Sequence, residues 1–247
     1  MSQDRTRTLI KPSSHFKCIS RMAFDLLSSN GMARKNVVID PNTPYHLSSR
    51  CINRDWFQQP ISEVWSCFSD QLYFAKHAFD LRIHSVTLMQ NHFHMIVRAP
   101  QGNLSEAMAY FLRETSRELT KSSHRINGTW GNRFFRSALT EYHHYMCAYK
   151  YVYRNPVEAN TCTFVEEYPY STLHGLLGFS KLMIPVEHDT VLFDHEIEKS
   201  LLWLNSKSEK TDWESIRKAL RRKSFKLPKA NGELNPLQRA DHSFYRI

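Results

Sequence analysis

Met89-Gln90-Asn91-His92-Phe93-His94-Met95-Ile96-Val97-Arg98 is the stretch whose reading decides the fold. It reads as a β-strand, and along a strand successive side chains point to opposite faces. His92 and His94 therefore share one face, while Phe93, Met95 and Val97 share the other. One face can hold an ion and the other can bury in a core. The pair by itself is a weak signal. Thirteen histidines among 247 residues give ~0.7 His-x-His pairs from composition alone, and an ordinary strand with two satisfied or exposed histidines is the simpler reading.

A second element, about fifty residues downstream, changes the balance. Glu141-Tyr142-His143-His144-Tyr145-Met146-Cys147-Ala148-Tyr149-Lys150-Tyr151-Val152-Tyr153-Arg154-Asn155-Pro156 contains no glycine and predicts a helix limited by Pro156. At about 100° per residue, Tyr149 and Tyr153 fall on one face, whereas Tyr151 falls on another with Asn155 at i+4. A phenol and an amide oxygen brought against a His-x-His strand offer three neutral metal ligands and one nucleophile. Taken alone, Tyr151 reads more simply as a buried aromatic with a hydrogen-bonded hydroxyl.

Four motifs in order then carry a family resemblance: Asn91-His92-Phe93-His94, Trp130-Gly131-Asn132-Arg133-Phe134-Phe135, Tyr151-Val152-Tyr153-Arg154-Asn155-Pro156-Val157 and Tyr168-Pro169-Tyr170-Ser171-Thr172. Together they resemble the single-tyrosine HUH transposases, most closely the branch of REP-associated tyrosine transposases, over about residues 37–178. The resemblance implies a ferredoxin-like α+β nuclease domain that nicks and rejoins single-stranded, hairpin-associated DNA through a 5′-phosphotyrosine bond, with Mg²⁺ or Mn²⁺ as cofactor. Carried over by position, His92 and His94 match the metal-binding pair, Tyr151 matches the nucleophile, and Asn155 matches a third polar ligand. Many relatives have proline before the Asn-His-Phe-His run where this chain has Gln90, which loosens the turn into the strand.

The rest of the chain fits a globular DNA-processing protein. A net charge of +9 and a pI near 9.3 favour a polyanionic partner. Five cysteines, at 18, 51, 67, 147 and 162, show no Cys-x-x-Cys spacing and read as reduced thiols. No apolar run has membrane-spanning length and no signal-peptide pattern opens the chain, so a cytoplasmic protein without membrane partners is expected, as a monomer or homodimer. Residues 1–36 read as an N-terminal extension, with one or two helical turns at Met22–Leu27, and 37–178 as the nuclease domain.

Within that domain the predicted elements are a strand at Tyr45–Cys51, a helix at Ser62–Phe79 capped by Ser62, a strand at Leu81–Met89 and then the His-x-His strand. A helix opened by Asn103 and a strand at Arg133–Thr140 follow, before the Tyr151 helix. The expected fold is an α+β antiparallel sheet with helices on one face. Residues 179–247 read as a basic C-terminal extension, with extended pieces at Leu182–Val186 and Val191–Phe193 and helices at Asp194–Leu204 and Ile216–Lys223.

Candidate nucleic-acid contacts are Arg113, Arg117 and Lys121, which form an i,i+4 stripe; Arg133 and Arg136 in the fourth strand; and Arg217, Arg221 and Arg222 in the C-terminal helix. A solvated face explains each stripe as well, residue for residue. Two further functional readings stand beside the metal-dependent nickase. One is a structured-DNA-binding or regulatory protein of the same fold with little cleavage; the other is a metal-dependent hydrolase in which water, not Tyr151, attacks.

Overall fold

The computed structural model describes residues 38–121, 123, 127–131, 134–194 and 196–227. The chain divides into Met1–Val38 and Ile39–Ile247, and the elements below belong to the second unit. The predicted turns at Met22–Leu27 and the predicted contact Arg133 lie outside the described residues.

The elements are β1 (Tyr45–Arg50), α1 (Ile61–Phe79), β2 (Arg82–Leu88), β3 (His92–Arg98), α2 (Leu104–Lys121), β4 (Phe135–Ala138) and α3 (Tyr142–Glu158), followed by α4 (Thr172–Leu176), α5 (Thr190–Phe193), α6 (Ile197–Asn205) and α7 (Lys210–Ala219). The four strands lie in the order β2-β3-β1-β4, and every neighbouring pair is antiparallel. A βαββαβ chain with this order is the ferredoxin-like arrangement of an α+β fold.

Alternation along β3 sorts the residues as expected. Phe93, Met95 and Val97 join Tyr45, Leu47 and Ile83 in one core, closed by Val64, Phe68 and Leu72 of α1 and by Met108 and Phe111 of α2. The Phe68, Phe93 and Phe111 rings meet edge-on at 4.7 to 5.8 Å, the geometry that aromatic quadrupoles favour. The opposite face is covered as well, which differs from the one-sided arrangement expected. Ile96 packs there with Tyr149, Val152 and Tyr153 of α3, and that core continues into Trp203 and Leu204 of α6 and Ile216 and Ala219 of α7. A sheet with apolar residues on both faces leaves neither open to water, and α3 supplies the second cover.

Several element ends differ from the sequence pattern. The first helix starts at Ile61 behind Pro60, so Ser62 sits inside it and makes no cap. Asn103 opens α2, its carbonyl accepting from Ala107 N–H at 3.0 Å, but its side chain makes no cap bond: its amide donates to the Phe79 carbonyl at 3.1 Å and its Oδ1 is buried without a partner. Pro156 lies within α3 rather than ending it: so close to the C-terminus it removes a single backbone donor. Val191–Phe193 belongs to the short helix α5, which Asp189 caps through Leu192 N–H at 3.0 Å, and Leu182–Val186 forms no strand. The last basic helix begins at Lys210 and ends at Ala219, leaving Arg221 and Arg222 in the turn beyond it. No helix of the described residues is long and apolar enough to cross a membrane.

Arg154 ties α3 to the end of α6. Its side chain is 4% exposed and donates to the carbonyls of Leu204 at 3.1 Å and Asn205 at 2.7 Å, and to Glu158 at 2.7 Å. Truncation strands those acceptors, so Arg154→Ala is expected to lower unfolding free energy by on the order of 3 kcal/mol in urea titrations. The exposed Arg117→Ala changes it by less than about 0.5 kcal/mol.

Candidate functional site

Antiparallel register builds one wall of the site. Ser48 pairs with His94 and Arg50 with His92 across β1 and β3, so all four side chains share the face that α3 covers. The turn before β3 is fixed by backbone bonds from Cys51 N–H to Asn91 O at 2.8 Å and from Phe57 N–H to Gln90 O at 3.0 Å. The turn that Gln90 was expected to loosen is thus held from both sides.

Asn91 then sets the orientation of His92. Its amide nitrogen donates to the Arg54 carbonyl at 2.7 Å, leaving Oδ1 as an acceptor 2.8 Å from His92 Nδ1. His92 Nδ1 must therefore be the donor, and its Nε2 is a bare lone pair. His94 turns Nδ1 toward His46 Nε2 at 3.0 Å. Burial and the neighbouring Arg50 charge push the His92 pKa down to about 3. Burial, then His92, His46, Arg50 and Arg221, hold His94 well below the usual histidine range. Both rings are neutral at ordinary pH, the form a metal requires.

The helical arithmetic for α3 holds. Tyr149 and Tyr153 are fully buried on one side, bonded to Asp189 at 2.6 Å and Thr172 at 3.0 Å. Tyr151 faces the other way, its ring edge-on to His94 at 5.2 Å between centroids. Asn155, one turn on, donates its amide nitrogen to the Tyr151 carbonyl, so its Oδ1 is available as an acceptor. Tyr151, Asn155, His92 and His94 line one open cleft of about 910 Å³. Among the described residues, no three His, Cys, Asp or Glu side chains gather to hold an ion. A set here would draw on a side chain of another type, and the Asn155 amide oxygen and the His92 Nε2 lone pair are of the right chemical kind, joined by His94 Nε2 when its Nδ1 carries the proton.

The other predicted contacts divide. Arg217 and Arg221 line the same cleft, joined by Arg50 and Arg54, whereas Arg222 does not. Arg113, Arg117 and Lys121 project from α2, on the far side of the sheet, and pair with Glu114, Glu114 and Glu118. Arg136 pairs in register with Leu47 and so belongs to that far face too. It is Phe135, opposite Ser48 and 57% exposed, that reaches the cleft from β4.

Five site residues escaped the sequence reading: Arg50 and Arg54, and with them His46, Phe135 and Trp213. His46 was visible as one of three polar residues, His46, Ser48 and Arg50, alternating along β1. Phe135 was indistinguishable from Phe134 by pattern. Trp213, whose ring stacks on Tyr151 at 4.6 Å, carried no signal, because its place depends on how α7 packs. Under that cover Tyr151 is 5% exposed. Burial pushes its phenol pKa up to about 12, while Arg217, Arg221 and Arg50 pull it back down.

The chain is similar to known proteins in sequence and in fold. The family model described as IS200-like transposases matches residues 42–154. Over that span the chain is similar to the IS200-like transposases. That span includes His92, His94 and Tyr151 and ends one residue before Asn155. A curated relative from Haemophilus influenzae, a putative REP-associated tyrosine transposase, is 24% identical over 101 residues, which are 36% of this chain and 57% of the relative. This chain thus matches little more than half the length of that relative. Among solved structures, a REP-associated tyrosine transposase bound to a REP hairpin aligns with TM-score 0.49 and 19% identity, covering 63% of this chain and 93% of that one. A putative transposase from Deinococcus radiodurans aligns with TM-score 0.35 and 16% identity, covering 47% and 91%.

No hydrogen bond reaches the Tyr151 hydroxyl among the described residues, in contrast to that of Tyr149. Tyr151→Phe is therefore expected to leave stability within about 0.5 kcal/mol of wild type. Tyr149→Phe removes the donor to buried Asp189 and costs about 1 to 3 kcal/mol in the same denaturation assay.

Proposed function

We propose that this chain is a transposase-type DNA nickase and strand transferase in which Tyr151 is the nucleophile. One observation carries this reading: a phenol with no hydrogen-bond partner lies edge-on to His94, in a cleft shared with His92 and Asn155. An ordinary core tyrosine satisfies its hydroxyl, as Tyr149 and Tyr153 do. Hairpin-associated single strands are the substrate class that the motif resemblance implies.

His92 Nε2, His94 Nε2 and Asn155 Oδ1 are the atoms that would hold a divalent ion of the Mg²⁺ or Mn²⁺ class. Such an ion supplies Lewis-acid polarisation of a phosphate oxygen when bound. The protein's own groups supply the remainder. Arg50 and Arg221 form no ion pair among the described residues, and the crowding of Arg50 by the like charges of Arg54, Arg221 and Arg217 favours an anion between them, as a phosphate backbone provides. Phe135 offers an exposed ring on which a base can stack. The Tyr151 oxygen bonds to phosphorus as the bond to the 3′ oxygen breaks. The phenol loses its proton and the departing 3′ oxygen gains one, leaving a 3′-hydroxyl and a 5′-phosphotyrosine. The linkage retains the phosphoester bond, so an incoming 3′-hydroxyl can reverse the step and rejoin strands.

Tyr151 and His94 belong to one chain, which supports action within a single subunit. The C-terminal segment belongs in the working unit as well, because α7 contributes Trp213 and Arg217, with Arg221 just beyond its end, to the same cleft.

With labelled single strands flanking a hairpin and Mn²⁺, wild type should give a denaturation-resistant protein–DNA adduct on gels, and Tyr151→Phe and His92→Ala should give none. A Tyr151→Phe variant that still cleaves would place water as the nucleophile, and intact binding without cleavage by wild type would leave a DNA-binding role. Arg221→Ala should weaken binding and flatten the plot of log affinity against log salt by about 0.7, one single-strand phosphate contact.

The lowered histidine pKa values set the acid limit. A histidine depressed to about 3 stays neutral well below the ordinary value of 6.5, so Mn²⁺ affinity should change little between pH 7.5 and 5.5. Two histidines of ordinary pKa would lose about a hundredfold over that interval, and calorimetric titration distinguishes the two.

A further inference from the structure

We propose that His46 is a positioning residue for His94, selecting the ring tautomer in which His94 Nε2 is free to ligate. The inference rests on the reading that His92 and His94 hold a divalent ion, and it concerns a residue outside that ligand set. His46 Nε2 lies 3.0 Å from His94 Nδ1, with the two ring planes only 23° apart. Two neutral imidazoles in this relation share one hydrogen, which leaves two arrangements. If His46 donates, His94 carries its proton on Nε2 and cannot bind a cation. If His94 Nδ1–H donates to His46, Nε2 is a bare lone pair. Because Nδ1 is turned toward His46, Nε2 is the nitrogen that His94 has left to offer the cleft.

His92 shows the same device with a different partner. There the Asn91 amide, fixed by its own bond to the Arg54 carbonyl, can only accept from His92 Nδ1. A pair of ligands whose outer nitrogens are both held by acceptors is what orients imidazoles for a metal.

Stability does not account for His46. Its Nδ1 is buried with no hydrogen-bond partner, and so is the hydroxyl of Ser137, its register partner on β4. A buried polar atom left unpaired is costly, so an apolar side chain of similar size would suit the position better.

The test uses the full chain with Mn²⁺ as the probe ion, comparing wild type, His46→Leu and His46→Gln by calorimetric titration and thermal unfolding. His46→Leu should melt no lower than wild type yet bind Mn²⁺ about ten- to a hundredfold more weakly. His46→Gln, whose amide oxygen can stand where Nε2 stands, should bind within about threefold of wild type, because it restores the acceptor. Nitrogen-15 NMR of the ring with Mg²⁺ present should place the His94 proton on Nδ1. Equal Mn²⁺ affinity in wild type and His46→Leu, or a His94 proton on Nε2 with the ion bound, would overturn the inference. Equal loss in both variants would make His46 a ligand itself, which also overturns it. Should His46→Leu not fold, the glutamine variant and the ring spectrum decide. A wild type that binds no Mn²⁺ at all would remove the ion-site reading beneath this one, a result distinct from an unaffected His46→Leu.

Discussion

The edge-on contact between Tyr151 and His94, at 5.2 Å between ring centroids, is the constraint on which the rest of the structure depends. It requires a helix to lie across the His-x-His face of the sheet with one turn of its surface aimed at β3. That requirement explains why the sheet has two covered faces. On the α1/α2 side, close packing of aliphatic and aromatic side chains supplies the apolar burial. On the α3 side the packing is divided: Ile96, Tyr149 and Tyr153 form a core, and next to it the chain leaves a polar cleft.

Charge in that cleft is one-sided. Arg50, Arg54, Arg217 and Arg221 approach from two separate parts of the chain, while Glu158, the acid that also lines it, is engaged by Arg154. Glu214 offsets Arg217 only in part, since both are surface-exposed. A concentration of guanidinium groups beside neutral imidazoles and a phenol favours an anionic substrate, and the same groups lower the cost of forming a phenolate on Tyr151.

Much of this was legible in the sequence, because periodicity is a local property. Alternation placed His92 and His94 together, and helical spacing separated Tyr151 from Tyr149 and Tyr153. What escaped depends on contacts between distant segments. Which side chains of β1 and β4 stand beside the histidines follows from strand order and register, so the places of His46 and Phe135 in the cleft, and of Arg136 on the opposite face, could not be read. The Asn103 side chain makes no cap bond because its amide is drawn to the Phe79 carbonyl, and Ser62 makes none because the helix begins one residue before it. Trp213, Arg217 and, beyond the end of α7, Arg221 are brought to the cleft by packing of a C-terminal segment that the sequence marked as a basic helix but could not place.

The central claim is that one phenol among three neighbouring tyrosines of α3 carries the covalent chemistry. Its most direct measurement is tandem mass spectrometry of tryptic peptides, after the protein has reacted with a hairpin-flanked single strand and the DNA has been trimmed by nuclease. The nucleotide mass should appear on the peptide Tyr151–Arg154, and fragmentation should assign it to Tyr151. Assignment to Tyr153 or Tyr149, or cleaved DNA with no modified peptide, would contradict the account.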